Sequence, residues 1–478
     1  MRYPVRVLTI TILAALVAGP AVAARKPAHP APTPAPAPAA APQPTGSTGA
    51  SVYKDGVAVH QAASASSATV ATLKKGATVE VQRQDGLWFN VKAQPDAVGF
   101  VKINEVRLAR ASGGGNDGYS MFGGRPKAGE TAGVRGINVE DLRGAGYNPA
   151  AVAQMETFRV DDASAEAYAA RMHLQKSQVA YKKEPGIGQG HRQASGSSEE
   201  VQAQQAESSA AKKGLFGMVG GHLGLGSSVT DNAADAMPKS EQEKYDEEIA
   251  MGPQVAGRVL SVMPVWNNPE AQRRVNTIGH WVALQTPRDD LPWTFVVVDS
   301  PTINAFAAPG GYIMVTRGLY EVLASDDEVA AVLGHEISHV VSRDHYNVIR
   351  KQAMASIALN VGTDKFVGAL GKAGANPFAQ RLAGYFAKEG AAAILTTFDK
   401  DVEYRSDVAS MIYTARAGYN PLAMYAVLQK IEAAADPGRT SNLFSTHPNP
   451  EQRLDNLDKK GLAAVQPYVD RAYTMAVR

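Results

Sequence analysis

The sequence predicts an α+β protein in which a small all-β unit precedes a mainly helical domain holding a small β-sheet. Three observations carry that reading. Short alternating runs bounded by Gly, Asp and Ser crowd residues 51–110, as strands and hairpins do. From Ser240 onward, apolar residues recur with the 3.6-residue period of amphipathic helices. Within that second part, residues 293–299, 304–308 and 312–316 read as three short strands, the last two joined around Pro309-Gly310-Gly311.

Taken in order, residues 1–23 read as a signal peptide. Arg2 and Arg6 precede a short apolar core, Gly19-Pro20 breaks it, and Ala21-Val22-Ala23 forms an A-x-A cleavage site. The expected compartment is the periplasm, with association to the outer membrane or cell wall left open. Residues 24–50 form a Pro/Ala-rich linker, an extended tether. In residues 51–110 the strand candidates are 57–59, 69–73, 78–81, 87–91 and 99–101. Residues 111–239 read as a linker with short helices near 138–142 and 163–172, and as partly disordered through the Gln/Ser/Gly-rich 183–228. Residues 240–478 form the main domain. No segment after the leader reaches about eighteen unbroken apolar residues, so no transmembrane span is expected in the mature chain.

Bulk properties exclude several classes. The 478 residues carry a net charge of +2 with 20% charged residues, which gives no global field for a nucleic-acid partner. No cysteine occurs, so disulfides, thiolate metal ligands and a cysteine nucleophile are ruled out.

The chemistry concentrates in V-L-G-H-E-I-S-H-V-V at 332–341. On a helix, His335 and His339 share one face and can bind one zinc ion. Glu336 then lies beside the metal, where a general base for a zinc-bound water is needed. Ser325 is a candidate N-cap, and Glu328 completes a capping box. The helix is expected to continue to about residue 358. A catalytic zinc needs a third protein ligand. His345 follows His339 at the spacing of the longer histidine motif, but Ser342 stands where that motif has Gly, and a continuous helix turns His345 away. A carboxylate from a later helix is the stronger choice. Glu403 and Asp407 are again four residues apart; Glu403 would bind zinc, and Asp407 would accept a hydrogen bond from a ligand imidazole.

These residues resemble the M48 family of zinc metallopeptidases. The similarity runs through E-E-I-A-M-G at 247–252, N-A-F-A-A-P-G-G-Y-I at 304–313, G-H-E-I-S-H at 334–339, E-Y-R-S-D at 403–407, and S-T-H-P at 445–448. Ser406 replaces the family's usual Ala. The resemblance implies a zincin-type domain, one Zn2+ per chain bound by His335, His339 and Glu403, and Glu336 as catalytic base. It also implies polypeptide substrates, with Asn304, Ala305 and Phe306 as the strand beside which a peptide lies. His447 and Arg453 follow in a segment the family places over the site. His447 is a candidate oxyanion donor or fourth zinc ligand. Arg453 is a candidate oxyanion donor or the ion-pair partner of a nearby carboxylate. In the β unit, T-L-K-K-G-A-T-V-E-V, D-G-L-W-F-N-V-K and V-G-F-V resemble bacterial SH3 domains, implying a small barrel that binds peptidoglycan or envelope proteins. The leading function is a zinc endopeptidase acting on misfolded or misassembled envelope proteins. The competing readings are a peptidoglycan cross-link hydrolase and a low-turnover chaperone-like binder.

Overall fold

The computed structural model describes residues 48–93, 96–109, 139–185, 239–359, 398–433 and 448–471, all within one compact unit, Gln43–Arg478. The predicted signal peptide, most of the tether, and His447 lie outside the described residues, as does much of 111–239.

The N-terminal part is a seven-stranded antiparallel sheet. Its strands are β1 (Thr48–Val52), β2 (Val57–His60), β3 (Thr69–Leu73), β4 (Thr78–Asp85), β5 (Trp88–Ala93), β6 (Ala97–Lys102) and β7 (Val106–Leu108), in the order β3-β2-β6-β5-β4-β1-β7. Alternation places Val57, Val59, Val79, Val81, Phe89, Val91 and Val101 inward, all buried. The strand β1 escaped the sequence reading because T-G-A-S-V carries little β-propensity; pairing with both β4 and β7 supplies its order. At Gly99, a Cβ would meet the His60 carbonyl at 2.4 Å, so only glycine lets β6 pass so close to β2.

Residues 139–185 hold short helices, as expected near 138–142 and 163–172, with a third between them. The helices α1 (Val139–Gly144), α2 (Pro149–Glu156) and α3 (Asp162–Arg171) pack into the main domain. Leu142, Val152, Met155, Ala165 and Ala169 are buried. Tyr168 donates to Asp326 at 2.8 Å, and Arg159 donates to Thr294 at 2.6 Å. These helices are too short for periodicity to mark their apolar faces, and tertiary contact decides their fate.

The main domain begins with α4 (Glu241–Val262), opened by a complete capping box between Ser240 and Glu243, and α5 (Pro269–Ala283), capped by Asn268. The three predicted strands form: β8 (Thr294–Val298), β9 (Ala305–Ala308) and β10 (Tyr312–Thr316). Central β10 runs parallel to β8 and antiparallel to β9. Side chains of α5 close the outer edge of β8. Asn276 pairs with both backbone groups of Phe295 at 3.0 and 2.6 Å, and Gln272 with both of Val297 at 2.8 Å. That arrangement blocks one edge of the sheet and leaves β9 as the opposite outer strand, packed along the motif helix. The remaining helices are α6 (Arg317–Val322), α7 (Asp326–Val341), α8 (Asp344–Leu359), α9 (Lys400–Arg416), α10 (Ala423–Ala433), α11 (Pro450–Asn456) and α12 (Leu462–Val465), with a π-turn at Leu457–Gly461 between the last two.

Candidate metal centre

The helix α7 carries the H-E-x-x-H motif through the core, and every one of its residues is buried. Ser325 caps it, its hydroxyl accepting the Glu328 N–H at 3.1 Å. The expected capping box is only half present. The Glu328 carboxylate accepts the Ala324 N–H and is held by buried Lys430 at 2.7–2.8 Å. A Cβ on Gly334 would lie 3.1 Å from the Ser410 hydroxyl, so the glycine lets α9 cross α7 closely.

That crossing brings the two predicted pairs together. The Nε2 atoms of His335 and His339 lie 3.2 Å apart. Glu403 on α9 places its carboxylate oxygens 3.5 Å from His335 Nε2 and 3.6 Å from His339 Nε2. In a tetrahedral site with bonds of about 2.0–2.1 Å, neighbouring ligand atoms lie about 3.3–3.4 Å apart. Two imidazoles and a carboxylate converging on this scale can hold a metal ion, and among the described residues these three form the converging group. His345 instead sets its ring edge-on to His339 and to Phe398, at 5.8 and 4.7 Å between centroids. Phe398 also stacks on His339 at 5.0 Å.

Behind each histidine stands a carboxylate, and behind each carboxylate an arginine. His335 Nδ1 lies 3.0 Å from Asp407, and Arg453 donates to both oxygens of that carboxylate at 2.5 and 2.9 Å. His339 Nδ1 lies 2.9 Å from Asp344, whose oxygens accept from Arg405 at 2.6 and 2.7 Å. An Nδ1–H bonded to a carboxylate leaves Nε2 bare for a metal. Burial pulls the Asp407 carboxyl upward, but the Arg453 guanidinium overcomes it and holds the group below the usual carboxylate range. Asp344 is likewise raised by burial and brought down further by His339 and Arg405. Burial opposes a charge on His335, yet the hydrogen bonds that its ring donates to Asp407 and Glu403 raise its pKa to about 9. A metal held at this site would take the place of that proton.

Asp344 and Arg405 were missed by sequence reasoning, for a geometric reason. The expected continuous helix would turn residue 344 away from His339. Instead α7 ends at Ser342, and Arg343 adopts the left-handed region at φ 58°. Its guanidinium is held by Glu248 at 2.8 Å and by Glu241, both on α4. This break swings Asp344 back onto His339. Arg405 stood in view within E-Y-R-S-D, but nothing in the sequence pointed it to Asp344.

Glu336 is 4% exposed and close enough to strengthen the negative field on Arg453. Arg453 itself lies behind His335, bonded to Asp407. Of the three residues read as a substrate strand, Asn304 precedes β9, with its N–H and C=O both bonded to Thr316 at 3.0 Å. Ala305 and Phe306 lie on β9 beside α7 and are buried.

A H-E-x-x-H helix crossed by a second helix that contributes a carboxylate, beside a small sheet, has the donor set that could hold a metal ion. Residues 267–460 match the model of peptidase family M48. Among relatives, the "Beta-barrel assembly-enhancing protease" of Yersinia pestis is 28% identical over 44% of this chain and 43% of its own length. The "Mitochondrial metalloendopeptidase OMA1" of Arabidopsis thaliana is 28% identical over 38% of this chain and 34% of its own. The "Metalloprotease LoiP" of Escherichia coli (strain K12) is 26% identical over 40% of this chain and 70% of its own. The chain thus spans less than half the length of the first two. Together these similarities support a metalloendopeptidase.

Proposed function

We propose that this chain is a zinc-dependent endopeptidase of the bacterial envelope that hydrolyses misfolded or misassembled proteins. The observation that carries the reading is the convergence of His335, His339 and Glu403 at 3.2–3.6 Å, with Glu336 on the same buried helix. His335, His339 and Glu403 would hold the zinc, which would supply a Lewis acid that makes water a nucleophile near neutral pH. Glu336 takes the proton of the attacking water on its carboxylate and passes it to the departing amide nitrogen. The outer strand β9 accepts an extended peptide as one more strand, recognised through its main chain with little demand on sequence. Arg453 commits donors to both oxygens of Asp407, which favours orientation of His335 over oxyanion stabilisation. His447 keeps both of its roles, oxyanion donor or fourth metal ligand.

The envelope assignment is supported by the leader-like residues 1–23 and by the similarity to the beta-barrel assembly-enhancing protease of Yersinia pestis. Among the described residues, no helix is long and apolar enough to cross a membrane. We read the seven-stranded sheet as the SH3-like unit, a binding module for peptidoglycan or envelope proteins.

The test is Glu336→Gln. The variant should keep its zinc, by metal analysis, and lose cleavage of an unfolded substrate such as casein by at least about a hundredfold, the scale of general acid–base catalysis. Wild-type turnover in that variant overturns the assignment.

A further inference from the structure

We propose that the N-terminal β-sheet is a working part of the metal centre, with Tyr53 and Arg107 as positioning residues that act through α11 and Arg453. The inference rests on the metal-site reading above and extends it to Tyr53 and Arg107, which precede His335 by roughly 280 and 230 positions in the chain.

The helix α11 is only 7 residues long, well under the about 12–15 residues at which an isolated helix becomes even marginally stable. Its place must therefore come from tertiary anchors. On one side Arg453 clamps Asp407, the carboxylate that orients His335, and its Nη2 comes within 3.3 Å of His335 Nδ1. Asn456 also donates to the carbonyl of Tyr404, next to the ligand Glu403, at 3.3 Å. The opposite side of the same segment is held by the β-sheet. Tyr53, just after β1, donates to Asp455 at 2.7 Å. Arg107 on β7 is ion-paired with Asp458 in the following π-turn, with both side chains nearly buried at 11% and 12% exposure. The Arg107 guanidinium also lies over the Tyr53 ring at 4.2 Å, which ties the two anchors together. Tyr425 on α10 completes the grip on Asp458 at 3.0 Å.

A chain of direct contacts therefore runs from the sheet to the imidazole: Tyr53 and Arg107 to Asp455 and Asp458, through one helical turn to Arg453, then Asp407, then His335. Loosening the sheet-side anchors lets Arg453 leave Asp407, and His335 loses the fixed orientation that a metal requires.

The test uses the full chain and measures zinc affinity by competition with a chromogenic chelator, together with the visible ligand-field spectrum of the cobalt-loaded protein. Tyr53→Phe removes one hydroxyl, and Arg107→Ala removes the paired anchor. Each should weaken zinc binding by about tenfold, the lower end of what losing an outer hydrogen bond to a ligand costs, and should change the cobalt bands. Arg107→Lys should recover part of the loss. Lys102→Ala serves as control, because Lys102 ties the sheet to Asp470 rather than to α11; it should bind zinc as wild type does. Equal affinity and spectra across Tyr53→Phe, Arg107→Ala and wild type overturn the inference. So does an equal loss in the Lys102 control, which would mark general loosening. A wild-type chain that takes up no divalent metal overturns the site reading itself, and this inference with it.

Discussion

Asp407 and Asp344 perform the same task for different histidines, yet only one of them is buried without trace of solvent. Asp407 is 0% exposed and its charge is met by Arg453; Asp344 has 9% side-chain exposure and is met by Arg405 at 26%. Screening is weaker at the deeper pair, so Asp407 should matter more. Asp407→Asn keeps the shape but removes the charge that fixes His335 Nδ1–H. It should weaken metal binding by about 10–100-fold, and Asp344→Asn by less. Competition titrations on the two variants check the order; a reversed order would mean that depth of burial does not set the weight of these two carboxylates.

The joint between α7 and α8 decides whether Asp344 can reach its histidine at all. A non-glycine residue at φ 58° is strained unless its surroundings hold it there. Arg343 is held by Glu248 and Glu241, and Glu248 is shared with buried Arg288 at 2.8 Å. Arg343→Gly relieves the backbone strain while deleting the ion pairs, whereas Arg343→Ala deletes the ion pairs and keeps the strain. The alanine variant should melt lower than the glycine variant, by a difference worth about 1 kcal/mol. Thermal melts of both at one pH check this, and equal midpoints would show that the left-handed conformation carries no cost. Ser342 offered no glycine at the place where a turn was sought, so the sequence concealed a break that falls one residue later.

At the scale of the molecule, the folded unit is larger than the matched segment at 267–460. The short helices at 139–171 close the core on one side, where Met155 and Ala165 are 0% exposed, and Tyr168 bonds to Asp326 at the start of the motif helix. The β-sheet closes another side, through Gln429, which bonds to Ile103 and Leu108. A chain starting at residue 239 should therefore expose apolar surface, bind a hydrophobic dye and lose near-ultraviolet circular dichroism. A native-like spectrum from that fragment would show that the upstream helices are dispensable.

Local regularities in the sequence placed His335 with His339, and Glu403 with Asp407, because helical spacing of four residues fixes a shared face whatever the rest of the chain does. The same holds for the strands of the small sheet and for most of the strands upstream. Only the tertiary structure decided which arginine meets which carboxylate, that Asp344 rather than open solvent stands behind His339, and that the β-sheet grips the helix of Arg453. Those contacts join elements far apart in the chain or depend on one residue's backbone turning against its preference. No period in the sequence records them, because they arise from how buried charges must find partners once the helices have packed.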